Sequence, residues 1–290
     1  MIHPCYTSCV SAEGELYGRL RAFEAERTPY VLCTVIRTTG STPRKPGAKL
    51  VVSVDATFGT IGGGRVELEA TEEARRLLAA GRIAQPLSRR LHLTHDLAMC
   101  CGGEVEIFFE PRQPQETLLV CGGGHIAQAL VPMAARAHFD VFVAEDLEEL
   151  TGKARFPDAS GFVDGFEAND LASVPLQGAF VVVVTRDHAI DQRILETLLL
   201  HTRPSPLLAF VGLIGSLRKS MMFRARLARR GVPDEAIARL VCPIGLPIGA
   251  QTPEEIAVSI LSQLIEVRAS ARGLVSVPHS TVATHTGDIG

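Results

Sequence analysis

The sequence contains no tryptophan, and aromatic residues make up only 5% of its 290 positions. Proteins that bind single-stranded nucleic acid stack bases on aromatic side chains, and this chain has few to offer. It also lacks a surplus of positive charge. The chain has 29 Lys and Arg residues and 32 Asp and Glu residues, which gives a formal net charge of −3. We therefore expect no nucleic-acid partner.

Long apolar runs are absent as well. No stretch approaches the roughly 18 apolar residues of a membrane-spanning helix, and residues 1–4 (Met-Ile-His-Pro) do not begin a basic and apolar signal segment. The seven cysteines are an odd number without the spacing of a small disulfide scaffold, which favours free thiols in a reducing compartment. These features predict a cytoplasmic protein without a membrane partner.

A length of 290 residues suits two globular domains better than one. The stretch 110–116 is polar and contains two prolines, which predicts a linker. We therefore expect a first domain at 1–112 and a second at 113–271. The tail, 272–290, is rich in Ser, Thr, His and Gly, and we expect it to be disordered.

The first domain is predicted to be a small α+β unit. Helical spacing of apolar residues covers 11–25 and 66–80, whereas 30–36, 49–54, 58–61 and 105–109 are β-type runs. The intervening segment 38–47 contains two prolines and two glycines and is predicted to be a turn-rich loop.

In the second domain, β-type runs alternate with helical patterns. The predicted strands are 117–120, 139–143, 180–184 and 207–213, and the predicted helices are 125–137, 188–200 and 216–230. This alternation predicts a Rossmann-like, doubly wound parallel sheet, in which the consecutive valines 181–184 form a strand covered on both faces. A last helix is predicted with Thr252 as N-cap, Pro253 at its first position and Glu255 completing a capping box.

A glycine-rich run, 121–127 (Cys-Gly-Gly-Gly-His-Ile-Ala), joins the first predicted strand of this domain to its first helix. Gly122, Gly124 and Ala127 occupy the three small positions of G-x-G-x-x-G/A, where the backbone approaches a pyrophosphate at a helix N-terminus. Glu145 and Asp146 follow about twenty residues later, where an acid can bind ribose hydroxyls. Such a turn also occurs as a plain packing solution, which is the alternative.

Ligands of open α/β sheets bind beyond the carboxyl ends of the strands. Arg186 offers a bidentate donor to phosphate or carboxylate there, and His188 is a candidate acid or base. Thr185 and Asp187 can cap the next helix, and the alternative is that Asp187 is only a cap and His188 only a first-turn residue. The helix after the turn 212–216 is rich in cations, which face either an anionic partner or solvent. These cations are Arg218, Lys219, Arg224, Arg226, Arg229 and Arg230.

Cys100 and Cys101 follow His92, His95 and Asp96, which suggests a metal site at first sight. Structural zinc sites, however, space their cysteines by two to four residues, and adjacent cysteines rarely reach one ion. We predict no metal site. The pair is either a functional thiol, such as a sulfur carrier or cofactor ligand, or ordinary buried small residues.

Seven motifs in this order closely resemble the XdhC/CoxI family of xanthine dehydrogenase accessory proteins. They are 40–48 (Gly-Ser-Thr-Pro-Arg-Lys-Pro-Gly-Ala), 59–67 (Gly-Thr-Ile-Gly-Gly-Gly-Arg-Val-Glu), 100–103 (Cys-Cys-Gly-Gly), 121–127, 184–191, 212–216 and 243–250 (Pro-Ile-Gly-Leu-Pro-Ile-Gly-Ala). The resemblance, from about residue 16 to residue 268, implies a small N-terminal domain followed by a Rossmann domain. It implies a maturation factor that binds molybdenum cofactor (molybdopterin), supports its sulfuration and delivers it to a molybdenum hydroxylase such as xanthine dehydrogenase.

The resemblance leaves open where the sulfur comes from. Many relatives carry a cysteine directly after the glycine triplet, where this chain has Arg65. A direct thiol role then falls to Cys100 or Cys101, and the alternative is that a cysteine desulfurase supplies sulfur while this protein only holds the cofactor. Arg65 can instead pair with a phosphate or a partner carboxylate. We expect a cofactor-binding chaperone rather than a catalyst, and a homodimer, because such folds often pair through the helices that cover the sheet.

The residues predicted to bind the cofactor come from both domains. They are Gly62, Gly63, Gly64, Arg65, Gly122, Gly123, Gly124, His125, Glu145, Asp146, Thr185, Arg186, His188, Gly215 and Ser216. The alternative function is an NAD(P)-dependent oxidoreductase or a nucleotide-binding regulatory protein, which the unit 122–146 suggests by itself. A dehydrogenase needs an oriented proton donor, and the sequence offers only His188 with Asp187 or Asp191.

Overall fold

The computed structural model describes residues 12–93, 102–200 and 208–274. The chain divides into two compact units, Met1–Pro114 and Gln115–Gly290. Most of the predicted disordered tail lies outside the described residues, which end three positions after the last helix.

The first unit is built around a five-stranded antiparallel sheet. Its elements are α1 (Ala12–Ala25), β1 (Tyr30–Thr39), β2 (Lys49–Ser53), β3 (Thr57–Gly59), α2 (Gly64–Ala80), β4 (Leu87–His92) and β5 (Glu104–Arg112), and the strand order is β3-β2-β1-β5-β4. Helix α2 buries Val66, Ala70, Ala74 and Leu77 against the sheet, at the helical spacing that the sequence predicts.

The linker prediction for 110–116 is too long. Strand β5 continues through Pro111 to Arg112, and the next strand begins at Glu116. The proline is tolerated because β4 pairs with β5 only as far as Phe109, so that beyond this point β5 has only β1 as a neighbour. A residue without an N–H fits where one side of the strand needs no ladder hydrogen bond.

The second unit contains a six-stranded parallel sheet. Its elements are β6 (Glu116–Cys121), α3 (His125–Arg136), β7 (Phe139–Glu145), β8 (Gly161–Asp164), β9 (Phe180–Val183), α4 (His188–Leu200), β10 (Phe210–Leu213), α5 (Leu217–Arg229), α6 (Asp234–Ala238), β11 (Leu240–Val241) and α7 (Pro253–Ala271). The strand order β11-β10-β9-β6-β7-β8 is that of a doubly wound sheet, so the predicted fold class is confirmed.

Strand β9 lies between β6 and β10 and is buried on both faces, as its run of valines predicts. Val181 and Val183 contact one core cluster, and Val182 and Val184 contact the other. The alternation follows from the two-residue period of a strand.

Helix α7 has the predicted start. Thr252 Oγ1 accepts a hydrogen bond from Glu255 N at 3.2 Å, and Glu255 Oε2 accepts one from Thr252 N at 3.1 Å, which completes the capping box with Pro253 in the first turn. In the part of the chain that the structure describes, none of the helices combines the length and the apolar composition needed to cross a bilayer.

Candidate functional site

The strand order of the second unit reverses between β6 and β9, and open α/β sheets bind ligands beyond the strands at this point. An open cleft of about 310 Å³ lies there. Its lining consists of Gly122, Gly123, Gly124, His125, Ile126, Glu145, Leu150, Val184, Thr185, Arg186 and Pro253. The fold thus brings seven of the predicted site residues into one cleft, whereas Asp146, His188, Gly215 and Ser216 lie outside its lining.

The three glycines of the cleft differ in what surrounds them. Gly122 has a φ of 110°, and a Cβ atom there would lie 2.7 Å from the carbonyl oxygen of Val184. A Cβ atom on Gly123 would overlap the carbonyl oxygen of Leu150. Gly124, in contrast, has no heavy atom within 4 Å of a Cβ position, apart from its neighbours. The first two glycines therefore serve packing, and only the third leaves space open at the start of α3.

Glu145, at the end of β7, is 2% exposed, and its carboxylate is surrounded by donors of its own chain. Its Oε2 accepts a hydrogen bond from Gly123 N at 2.7 Å. Its Oε1 accepts from the backbone N–H groups of Asp146 and Leu147 at 3.0 and 3.3 Å and from Arg186 Nη1 at 2.9 Å. A ribose hydroxyl at this carboxylate would have to share it with these donors.

Arg186 connects the segment after β9 to the end of β7. Its Nη1 and Nη2 donate to Asp146 Oδ1 and Oδ2 at 2.7 and 3.1 Å, which makes the contact bidentate. The hydrogen bond from Arg186 lowers the pKa of Asp146 to about 2. The predicted bidentate donor is therefore bound to the two predicted acids in this structure.

A buried ion pair, which the sequence analysis missed, lies beside the cleft. Lys219 Nζ donates to Asp191 Oδ2 at 2.9 Å and to the carbonyl oxygen of Ile214 at 2.7 Å, and the Asp191 side chain is 1% exposed. Thr185 Oγ1 donates to the other oxygen of Asp191 at 2.6 Å. The suggestion that the cations of α5 form one solvated face is thus wrong for Lys219. One feature of the sequence could have indicated the pair. Asp191 lies three residues before Ile194, on the apolar face of α4, and a carboxylate on such a face needs a cation as its partner.

The cap predicted for α4 is present. Asp187 Oδ1 accepts hydrogen bonds from Ala189 N at 2.6 Å and Ile190 N at 3.3 Å. His188 is 68% exposed, and its Nδ1 lies 3.7 Å from Asp191 Oδ2. Ser216 caps α5, where its Oγ accepts from Lys219 N at 3.3 Å.

In the first unit, the carboxylate of Glu67 occupies the backbone donors of the glycine turn at 62–64. Glu67 Oε1 accepts hydrogen bonds from the N–H groups of Ile61, Gly62 and Gly63 at 3.1, 3.3 and 2.8 Å, and from the hydroxyl of Thr60. Burial alone would raise the pKa of Glu67, but the hydrogen bonds outweigh it and lower the pKa. Backbone donors of a turn that was predicted to bind the cofactor are therefore already bound to a carboxylate.

Three predicted motifs of the first unit lie together. A Cβ atom on Gly40 would lie 3.2 Å from the Cα of Gly103, and one on Gly62 would contact the ring of Pro43. The loop 40–47, the glycine turn and the residues that follow the predicted cysteine pair therefore share one side of the unit. Cys100 and Cys101 themselves lie outside the described residues.

The cysteines that the structure describes are poor candidates for sulfur chemistry. Cys33 and Cys121 are fully buried, and burial raises the pKa of both thiols, that of Cys33 to about 12. Cys242 is half-buried, and burial also raises its pKa. Because the thiolate is the reactive form, none of the three is activated as a nucleophile.

The parallel sheet, the glycine turn and the cleft at the switch point define a Rossmann-type unit, which follows an antiparallel-sheet unit in the chain. The family model described as the XdhC Rossmann domain matches residues 118–264, and the model of the XdhC and CoxI family matches residues 23–88. The chain belongs to the XdhC and CoxI family.

Two curated proteins and one solved structure illustrate its similarities. YqeB of Escherichia coli K12, described as uncharacterized, is 31% identical over 283 residues, which are 93% of this chain and 49% of that protein. A protein of Bacillus subtilis 168, described as a probable subunit of xanthine dehydrogenase, is 29% identical over 181 residues, 61% of this chain and 49% of that protein. The chain thus spans about half the length of these relatives. A crystal structure titled as a xanthine dehydrogenase from Bacillus halodurans has a TM-score of 0.49 at 23% identity and covers 89% of this chain and 97% of its own.

Proposed function

We propose that this protein is an accessory factor of a xanthine dehydrogenase-type molybdenum hydroxylase. It binds the molybdenum cofactor as cargo, supports its sulfuration and delivers it to the hydroxylase in the cytoplasm. Membership in the XdhC and CoxI family carries the proposal. The description of the Bacillus subtilis relative, which names xanthine dehydrogenase, supports this kind of partner.

The residues of the cleft fit a heterocycle that carries a phosphate. Gly124, His125 and Ile126 line the cleft where α3 begins, and α3 has no side chain capping its first N–H groups. A helix N-terminus of this kind favours phosphate. Glu145 is the carboxylate in the cleft lining, and an N–H group of a pterin ring that binds there would share its oxygens with the donors of the chain itself. When delivered, the cargo supplies the metal centre of the hydroxylase, and this chain holds and orients it.

The source of the sulfur is part of the proposal. Cys33, Cys121 and Cys242 are not activated, and we assign a direct carrier role to Cys100 and Cys101, which form one of the motifs that resemble the family. If a cysteine desulfurase delivers sulfur to the held cofactor, the double variant Cys100→Ala, Cys101→Ala supports maturation of the hydroxylase as well as the parent does. Maturation that fails with a folded double variant, although pterin is still bound, assigns the carrier role to these thiols.

The proposal is tested by purifying the protein anaerobically from cells that make molybdenum cofactor. The purified protein is assayed for fluorescent oxidised pterin and for molybdenum, and is then mixed with cofactor-free hydroxylase. We expect near-stoichiometric pterin and a gain of hydroxylase activity. A protein free of pterin, which also leaves the hydroxylase inactive, contradicts the proposal.

A second candidate is a nucleotide-binding regulatory protein, or an NAD(P)-dependent oxidoreductase. The glycine turn at the switch point favours nucleotide binding. Redox catalysis has less support, because His188 is exposed and 3.7 Å from the carboxylate that would orient it. Titration with NAD⁺ and NADP⁺ tests this candidate, and Gly124→Val should abolish such binding by filling the open space at the turn. Binding that Gly124→Val leaves unchanged argues against this use of the cleft.

A further inference from the structure

Two cations beside the second unit's cleft are already neutralised. Arg186 binds Glu145 and Asp146, and Lys219 binds Asp191. A phosphate that enters this cleft gains little from either cation, because each would first have to give up a carboxylate at hydrogen-bond distance. What remains to attract an anion is the start of α3 and Arg155, which does not line the cleft but donates from its Nε to the carbonyl oxygen of Gly123 at 2.9 Å.

A cavity of the first unit, in contrast, is lined by cations that no carboxylate of the described residues neutralises. It has a volume of about 190 Å³, far above the roughly 10–15 Å³ that holds one water molecule. Its lining is Leu16, Tyr17, Arg44, Gly47, Ala48, Lys49, Gly59 and Thr60. Within the described ranges, neither Arg44 nor Lys49 forms an ion pair with a carboxylate.

The local backbone holds the two cations at this cavity. Lys49 Nζ donates to the carbonyl oxygen of Gly47 at 3.1 Å, which draws the ammonium group back over the loop. The aliphatic part of Arg44 passes the glycine turn, with its Cγ 3.9 Å from a Cβ position on Gly62. Gly59 allows strand β3 to approach, since a Cβ atom there would lie 2.5 Å from the carbonyl oxygen of Lys49.

The other wall of the cavity is aromatic and apolar. Leu16 is buried, whereas Tyr17, the next residue of α1, is 52% exposed. An exposed phenol ring beside two cations without carboxylate partners suits a ligand that combines a flat ring with an anionic group.

We propose that this cavity binds the phosphate of a planar heteroaromatic phosphate monoester, with Arg44 and Lys49 at the phosphate and Tyr17 against the ring. The inference rests on the proposed function where it takes the ligand to be the cargo pterin. It assigns the cargo's phosphate to the first unit. The cleft of the second unit then binds another part of the cargo or a nucleotide.

The test is a fluorescence titration of the full chain with oxidised pterin phosphate and with the same pterin after its phosphate has been removed. We expect the phosphorylated form to bind at least tenfold more tightly, and Arg44→Gln or Lys49→Gln to weaken it about tenfold, since a charge-assisted hydrogen bond contributes about that factor. The double variant should bind both forms equally. Circular dichroism and thermal melting establish that each variant is folded.

Lys45→Gln is the matched control, because Lys45 is an exposed cation of the same loop that does not line the cavity. It should bind like the parent. Equal losses in Lys45→Gln and Arg44→Gln indicate unspecific charge attraction and overturn the proposal. So does a phosphate preference that survives the double variant Arg44→Gln, Lys49→Gln.

The two proposals fail in different ways. If pterin copurifies with the protein and the hydroxylase matures, but Arg44→Gln and Lys49→Gln bind pterin phosphate like the parent, the cavity assignment is wrong and the accessory function stands. If the variants lose phosphate-dependent binding while the parent protein never activates a hydroxylase, the cavity assignment stands and the accessory function is wrong.

Discussion

Glu67 and Glu145 perform the same task in the two units. Each is an acidic residue whose carboxylate accepts hydrogen bonds from the backbone of a glycine turn, Glu67 from residues 61–63 and Glu145 from Gly123. Peptide N–H groups in such turns attract anions, and here the chain supplies the anion itself. A glycine-rich turn alone is therefore insufficient evidence for a bound phosphate.

Replacing Lys219 by methionine should destabilise the protein by about 3–5 kcal/mol. The substitution keeps the length of the side chain but leaves the buried carboxylate of Asp191 without its cation. The free energy of unfolding in urea measures the effect. Arg218→Met, at the exposed neighbouring position, should change it by no more than about 0.5 kcal/mol. A Lys219→Met protein as stable as the Arg218→Met control would contradict this account of the pair.

The ion pair of Asp146 with Arg186 should make stability depend on pH in acid. The pKa of Asp146 is about 2 in the folded protein, below its ordinary 3.8, because Arg186 hydrogen-bonds to the charged form. A lowered pKa stabilises the fold fully above about pH 4, and this contribution is lost as the pH falls through 2. The carboxylate is about one-third exposed, so screening by solvent and salt reduces the size of the effect.

The measurement compares the free energy of unfolding of the parent and of Asp146→Asn between pH 6 and pH 2. The parent's advantage should shrink toward pH 2. Asp158→Asn, which removes an exposed carboxylate elsewhere in the same unit, should show no such trend. An advantage of the parent that stays constant, or increases in acid, would rule out the ion pair as its source.

At the scale of the elements, the start of α7 is defined by its own sequence. Thr252→Ala removes the acceptor for Glu255 N and should destabilise the second unit by about 1 kcal/mol, measured by urea unfolding. Thr252→Ser keeps the hydroxyl and should cost much less. If both variants lose the same stability, the methyl group of Thr252, rather than its capping oxygen, is responsible.

The turn between β6 and α3 should tolerate alanine at one glycine and reject it at another. Gly124→Ala has open space and a φ of −70°, so we expect a stability within about 1 kcal/mol of the parent. Gly123→Ala would press against the carbonyl group of Leu150 and should cost about 1–3 kcal/mol or more. Urea unfolding of the two variants provides the comparison, and equal stabilities would show that Leu150 moves away without cost.

At the scale of the whole molecule, each unit has its own hydrophobic core. The antiparallel sheet of the first unit buries apolar residues against α2, and the parallel sheet of the second unit has a core cluster on each face. A unit that covers both faces of its sheet should fold alone.

We therefore expect a fragment of residues 115–274 to fold by itself. It should unfold cooperatively in urea, with the slope expected for a domain of its size, and it should bind nucleotide if the intact chain does. The intact chain, measured under the same conditions, is the control. A fragment that unfolds gradually or aggregates would show that the second unit depends on the first.

Segments of the second unit that carry a clear hydrophobic pattern were predicted within a few residues, and short segments without such a pattern were not. Helices α3 and α4 and strands β6, β7 and β9 follow from hydrophobic patterns that are complete within each segment. No element was predicted for the two-residue strand β11 or the five-residue helix α6. Such short segments carry too little pattern of their own, and β11 gains its hydrogen bonds from β10.

The sequence by itself determined the class of fold, the glycine turns, the capping box of α7 and the membership in a family, because each depends on residues close in the chain or on motifs in a fixed order. Only the tertiary structure decided which charges neutralise each other. Arg186 and Glu145 are 41 positions apart, and Lys219 and Asp191 are 28 apart. The parallel sheet brings the carboxyl ends of its strands to one edge. These oppositely charged side chains come within hydrogen-bond distance only when that edge has formed.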